Sequence, residues 1–164
     1  MARSHDGSGL PRLDTEFVPV TDTAPPSVGI VVVSHSAPVA DATVALVRQL
    51  ANLDADGPRL VAAGGLEDGS VGTDAVRIAD GIRSADAGAG VVVMADLGSA
   101  VLSAFTALEE LLDADAASRV AISGGPLVEG TFVAAVQASA GDALDDVRAA
   151  ADEAAAMDKL GDRR

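Results

Sequence analysis

Residues 28–38 read VGIVVVSHSAP, and from Ile30 to Val33 the run holds isoleucine and valine without a polar break. A half-exposed strand alternates apolar and polar residues. An unbroken run therefore points to a strand covered on both faces, as at the centre of a parallel α/β sheet. The run ends at Ser34, His35 and Ser36, and Pro38 opens a stretch of helical period carrying Val39, Ala42, Thr43, Leu46, Val47 and Leu50. Those six residues are expected to form the inward face of a helix. His35 thus falls at the carboxyl end of a central strand, just ahead of a helix N-terminus, where open α/β sheets place their ligands. The only other histidine, His5, lies in the leading segment and is given no role.

The same punctuation recurs downstream. Arg59 to Ala63 reads as a short strand that runs into the glycine-rich AGGLEDGSVGTD, with Thr73 placed to cap a helix bearing Val76, Ala79 and Ile82. A third strand, GVVVMAD, is apolar until Asp96; Ser99 is the expected cap of a helix whose face is Val101, Leu102, Phe105, Leu108 and Leu112. Arg119 to Ser123 gives a fourth strand before GGPLVEG. A helix with Val128, Phe132, Ala135 and Val136 then stops near Gly141, and Asp142 is placed to cap a last one with Leu144, Val147 and Ala151. Strands alternating with helices predict an α/β fold, a parallel β-sheet flanked by helices on both faces. The domain is expected over 28–158, after a flexible leader at 1–27 and before a short tail at 159–164.

Composition narrows the function. The 164 residues contain no cysteine, which removes disulfides, thiolate catalysis and zinc–sulfur sites. The net charge of −14, from 25 acidic against 11 basic residues, argues against nucleic-acid binding, which needs basic stripes. Lys159 is the one lysine, and an acidic surface nearly free of lysine suits a halophile's cytoplasm, where salt screens self-repulsion. The apolar runs fall well short of the roughly 20 residues of a membrane span, and the N-terminus lacks a hydrophobic signal stretch. A soluble cytoplasmic protein without membrane partners is expected.

Four strand-end loops, at 34–36, 64–74, 96–99 and 123–130, share one edge of such a sheet. Each carries glycine or a hydroxyl, and helix N-termini there offer free N–H groups to an anion. No GxGxxG follows the first strand and no GxxxxGK[ST] occurs, so a nucleotide clamp is not indicated. If His35 and Asp96 end adjacent strands, the carboxylate can accept a hydrogen bond from Nδ1–H, fix the tautomer and leave Nε2 as a nucleophile for a phosphoryl group. Ser36, Thr73, Ser99 and backbone N–H groups such as that of Gly98 would hold the phosphoryl oxygens. No metal or cofactor is called for. The plainer alternatives are a hydrogen-bonded loop histidine, Asp96 as a helix cap, glycines as tight turns and Glu129 as a solvated charge. A receiver-like module phosphorylated on Asp96 would need an acidic pair after the first strand and a lysine late in the sheet; SHS and a tail Lys159 supply neither.

The segments VVVSHSAP, VGTDAV, MADLGSAVLSA and GPLVEGT resemble, in order and spacing, the phosphotransfer subunit of the phosphoenolpyruvate-dependent dihydroxyacetone kinase, within the mannose-type IIA family. The resemblance covers about residues 28–150. It implies a mannose-type IIA-like sheet, a homodimer, and a phosphotransferase subunit with no cofactor. His35 would be the phosphorylated histidine and Asp96 the aspartate beside it. HPr would be the phosphoryl donor and ADP on the kinase's nucleotide-binding subunit the acceptor. Dihydroxyacetone would be phosphorylated on a substrate-binding subunit. Some family members continue into HPr-like domains; with no such segment after the last helix here, a separate carrier is expected. A IIA subunit of a mannose-type sugar transporter and a non-catalytic regulatory module of the same fold are the alternatives.

Overall fold

In the computed structural model, which describes residues 25–161, the valine-rich run forms β1 (Gly29–Ser34), every residue of it buried. It leads into α1 (Ala37–Leu50), then β2 (Leu60–Gly64), α2 (Ala75–Ala85), β3 (Val91–Ala95) and α3 (Gly98–Thr106). A π-helical turn at Ala107–Leu111 extends α3, followed by the short α4 (Ala114–Ser118), β4 (Val120–Ser123), α5 (Leu127–Ala140) and α6 (Leu144–Glu153). The expected leader lies outside the described residues up to residue 24, as do 162–164 of the expected tail.

The four strands make one sheet in the order β2-β1-β3-β4, and all three pairings are parallel. The expected α/β sheet with helices on both faces is therefore what the chain forms. Alternate residues of β1 explain the unbroken run. Ile30 and Val32 pack with Val92 and Met94 under α1, α5 and α6, around Ala40, Val47, Ala134, Ala135 and Val147. Val31 and Val33 pack on the opposite face with Val91 and Val93, against Ile78, Ile82, Ala100 and Ala104 of α2 and α3.

Several helix faces differ from the periodic reading. In α1 the buried residues are Ala40, Thr43 and Val47, while Val39, Leu46 and Leu50 are exposed. In α3 the core side is Ala100 and Ala104, and Leu102 and Phe105 face outward; Val76, Val128 and Val136 are likewise exposed. Small residues let these helices lie close to the sheet, so the widest side chains point away. The caps also move: Asp74, not Thr73, caps α2 by accepting from the Val76 N–H at 2.9 Å. Leu97 and Ala143 hold the N-cap positions of α3 and α6 in place of Ser99 and Asp142.

Candidate active site

β1 connects to β2 on one side, and the chain then returns to place β3 on the other. The β1/β3 boundary is therefore the switch point of the sheet, where the two following loops diverge and leave a crevice. His35 follows β1 and Asp96 follows β3. Pairing of Val33 with Ala95 brings these residues, 61 apart in the sequence, face to face.

The Asp96 carboxylate is the hub. Its Oδ2 accepts from the Ser34 hydroxyl at 2.8 Å and from the His35 backbone N–H at 2.9 Å, and its Oδ1 lies 2.9 Å from His35 Nδ1. Burial works against its charge, but the His35 N–H, the Ser34 hydroxyl and the His35 ring outweigh that and hold its pKa below the ordinary 3.8. An ionised carboxylate only accepts, so Nδ1 carries the ring proton and the Nε2 lone pair accepts from the Ser99 hydroxyl at 2.8 Å.

The rest of the loop is held by backbone. Gly65 N–H donates to Ser34 O at 3.0 Å, Gly72 N–H to His35 O at 2.9 Å, and Ser36 N–H to Ser34 Oγ at 3.1 Å. Gly64 is what allows β2 to end so close: a Cβ there would stand 2.7 Å from Ser36 O and 2.9 Å from Ala37 Cα.

Of the residues singled out from the sequence, His35, Asp96 and Ser99 are in direct contact, with Ser99 serving the imidazole and not the cap. Ser36 is the N-cap residue of α1, with its side chain unused in capping. Gly98 opens α3, where first-turn N–H groups have no helical partner. Thr73 follows Gly72 beside the His35 loop, and its hydroxyl pairs with Ser103 Oγ at 2.7 Å, tying the β2–α2 loop to α3. Glu129 pairs with Lys159, and that contact holds its pKa down despite slight burial. Sequence reading placed Ser34 at the edge without giving it a role, and missed Ser103. Ser34 was signalled only by a hydroxyl closing an apolar strand, and Ser103 by nothing.

A cleft of about 540 Å³ opens beside Asp96, between the β3–α3 loop (Leu97, Gly98) and the β4–α5 loop (Gly124, Gly125, Pro126). Among the described residues no group of three or more potential ligands could hold a metal ion. No helix there is long and apolar enough to cross a membrane.

The parallel α/β domain thus presents a carboxylate-held imidazole at its switch point, the edge where sheets of this class place their ligands. The chain belongs to the PTS system fructose IIA component family (EIIA-man), which it matches over residues 29–148. It is 43% identical over 122 residues to the phosphoryl donor subunit DhaM of a PEP-dependent dihydroxyacetone kinase from Klebsiella michiganensis, covering 73% of this chain and 25% of that protein. The chain thus spans about a quarter of that relative, and likewise 25% of its Escherichia coli counterpart, at 42% identity and 73% coverage of this chain. A shorter relative, the phosphoryl donor subunit DhaM of PEP-dependent dihydroxyacetone kinase 2 from Listeria innocua, is 41% identical, with 67% of this chain and 85% of that protein covered. The crystal structure of a protein of unknown function, EF1359, superimposes with a TM-score of 0.66 at 34% identity, covering 77% of this chain and 94% of the other.

Proposed function

We propose that this domain is a phosphohistidine carrier, a phosphotransferase subunit that passes a phosphoryl group from HPr to ADP held on the nucleotide-binding subunit of dihydroxyacetone kinase. The observation that carries the reading is the hydrogen bond between Nδ1 and Asp96, which leaves the Nε2 lone pair at the open edge. That lone pair attacks the phosphorus of the phospho-donor. The donor's P–N bond breaks, its electron pair returns to the donor imidazole, and a P–Nε2 bond forms. The positive charge left on the His35 ring is balanced by Asp96. In the second step a β-phosphate oxygen of ADP attacks, the P–Nε2 bond breaks and ATP results, ready for dihydroxyacetone on the substrate-binding subunit. Ser99, displaced from Nε2, donates to a phosphoryl oxygen together with Ser36, Thr73 and the Gly98 N–H. The names of the relatives support this assignment.

The same reading places the protein in the cytoplasm as a homodimer, with its acidic surface adapted to high salt. The family's description names a fructose IIA component, which favours a sugar-transporter IIA subunit as second reading. A pull-down distinguishes them: soluble kinase subunits for the first, membrane transporter components for the second. The decisive experiment is incubation with phosphoenolpyruvate, the first phosphotransferase enzyme and HPr, followed by intact-mass analysis. One phosphoryl group is expected, lost in mild acid and stable in base, absent in His35→Ala and retained in His5→Ala. Acid-stable label, or label that survives loss of His35, overturns the reading, and no label leaves a regulatory module.

A further inference from the structure

The wiring around Asp96 occurs a second time, with Asp152 at its centre. At the end of β1 the Ser34 hydroxyl and the next N–H donate to one carboxylate oxygen, and the N–H after that donates to Ser34 Oγ. At the end of β4 the Ser123 hydroxyl donates to Asp152 Oδ1 at 2.6 Å and the Gly124 N–H to the same oxygen at 2.8 Å. The Gly125 N–H donates to Ser123 Oγ at 3.0 Å. The remaining oxygen of Asp96 holds the His35 ring; that of Asp152 takes the Arg148 guanidinium at 2.6 Å. Asp152 reaches this loop from α6, 29 residues after Ser123.

A Ser-Gly-Gly loop is by composition adaptable, yet this one is clamped. Gly125 lies so near α6 that a Cβ would stand 2.0 Å from Ala151 O, and Asp152 takes up the Ser123 hydroxyl and the Gly124 N–H just before it. The clamped residues form the wall of the cleft that starts at Asp96. A protein that exchanges a phosphoryl group with His35 Nε2 must bring its own reacting atom within a few ångströms and so covers this sheet edge. A wall ordered in advance spares that partner the cost of ordering it on binding.

We propose that Asp152 is a positioning residue that holds the Ser123–Pro126 loop as a preformed wall for the docking phosphoryl-donor protein. It thereby sets partner affinity, not the chemistry at His35. The inference rests on the phosphotransfer reading above. Its test measures phosphoryl uptake against phospho-HPr concentration in the wild type, Asp152→Ala and Ser123→Ala. Both variants should raise KM roughly tenfold with kcat within about twofold, as expected when charge-assisted ordering moves into the binding step. The imidazole ¹⁵N spectrum should stay that of the wild type. Unchanged KM in folded variants overturns the proposal, as does a fall in kcat with an altered imidazole spectrum, which would place Asp152 behind His35. If neither variant folds, Gly124→Val decides: Gly124 is exposed and a Cβ there meets nothing within 4 Å, so the fold persists while the cleft narrows. KM should rise there too, and a wild-type KM overturns the proposal. A wild type that takes up no phosphoryl group sinks the phosphotransfer reading and this with it; a loading wild type with normal KM in the variants sinks this alone.

Discussion

At Asp96 one carboxylate bonds a ring, holds a loop and, in the proposed transfer, balances a charge, and replacement by asparagine separates these tasks. The Asp96→Asn amide oxygen can still accept from Ser34 and the His35 N–H, so the fold should survive. It carries no charge, and its NH₂ end can donate to the imidazole and favour the wrong tautomer. A partly buried interaction of this kind is worth on the order of a few kcal/mol. Phosphoryl transfer from phospho-HPr should therefore slow by roughly two orders of magnitude, with the ¹⁵N spectrum showing a mixed tautomer. A wild-type rate with an unchanged ring spectrum would reduce Asp96 to a loop anchor. The same pair of proteins gives a pH test. Because the pKa of Asp96 is lowered in the fold, its stabilisation is complete above the ordinary value of 3.8 and is lost as pH falls through the lowered one. Urea unfolding should show wild type and Asp96→Asn converging in stability below about pH 4. His35 and Asp96 could be picked from the sequence because each follows an apolar strand and carries a side chain suited to this chemistry. Ser34, one residue away, could not be assigned, since a strand-end hydroxyl has many possible partners and only the carboxylate from β3 selects one.

At the scale of elements, periodicity identified each major helix but misjudged which side of several would be buried. The α3 reading favoured Leu102 and Phe105, yet the core takes Ala100, Ala104 and Ala107. A helix pressed on a sheet needs small residues at closest approach, and a hydropathy pattern weights the largest. The π-helical turn adds a second displacement, because it rotates Ala107–Leu111 relative to an α-helical period. Arg83 of α2 donates to the Leu111 carbonyl at 2.5 Å and ties that turn to its neighbour. Capping was misassigned by one residue at α2, where two adjacent polar residues, Thr73 and Asp74, were both eligible. The Asp74 side chain makes the cap and Thr73 turns to Ser103. Asp74→Ala should therefore lower unfolding free energy by about 1 kcal/mol, measured by urea titration, without touching His35. An equal loss from Thr73→Ala and none from Asp74→Ala would reverse the assignment.

For the whole molecule, the outward row Val39, Leu46 and Leu50 on α1 leaves apolar surface that a second copy would cover. Sedimentation at micromolar concentration should give a dimer, and molar salt should strengthen it by screening the net charge of −14. A monomer at every salt concentration would refute the pairing. The strands, their parallel class and the placement of His35 and Asp96 after the carboxyl ends of two of them were determined by the sequence alone. A strand buried on both faces must be apolar throughout, and the places where that run breaks mark the sheet edge. What only the tertiary structure decided is which polar group serves which partner: Ser99 for the imidazole, Ser34 for Asp96, and Asp152 for the loop after β4. Those bonds span 64, 62 and 29 residues, and such contacts follow from strand register and helix placement, which no local pattern encodes.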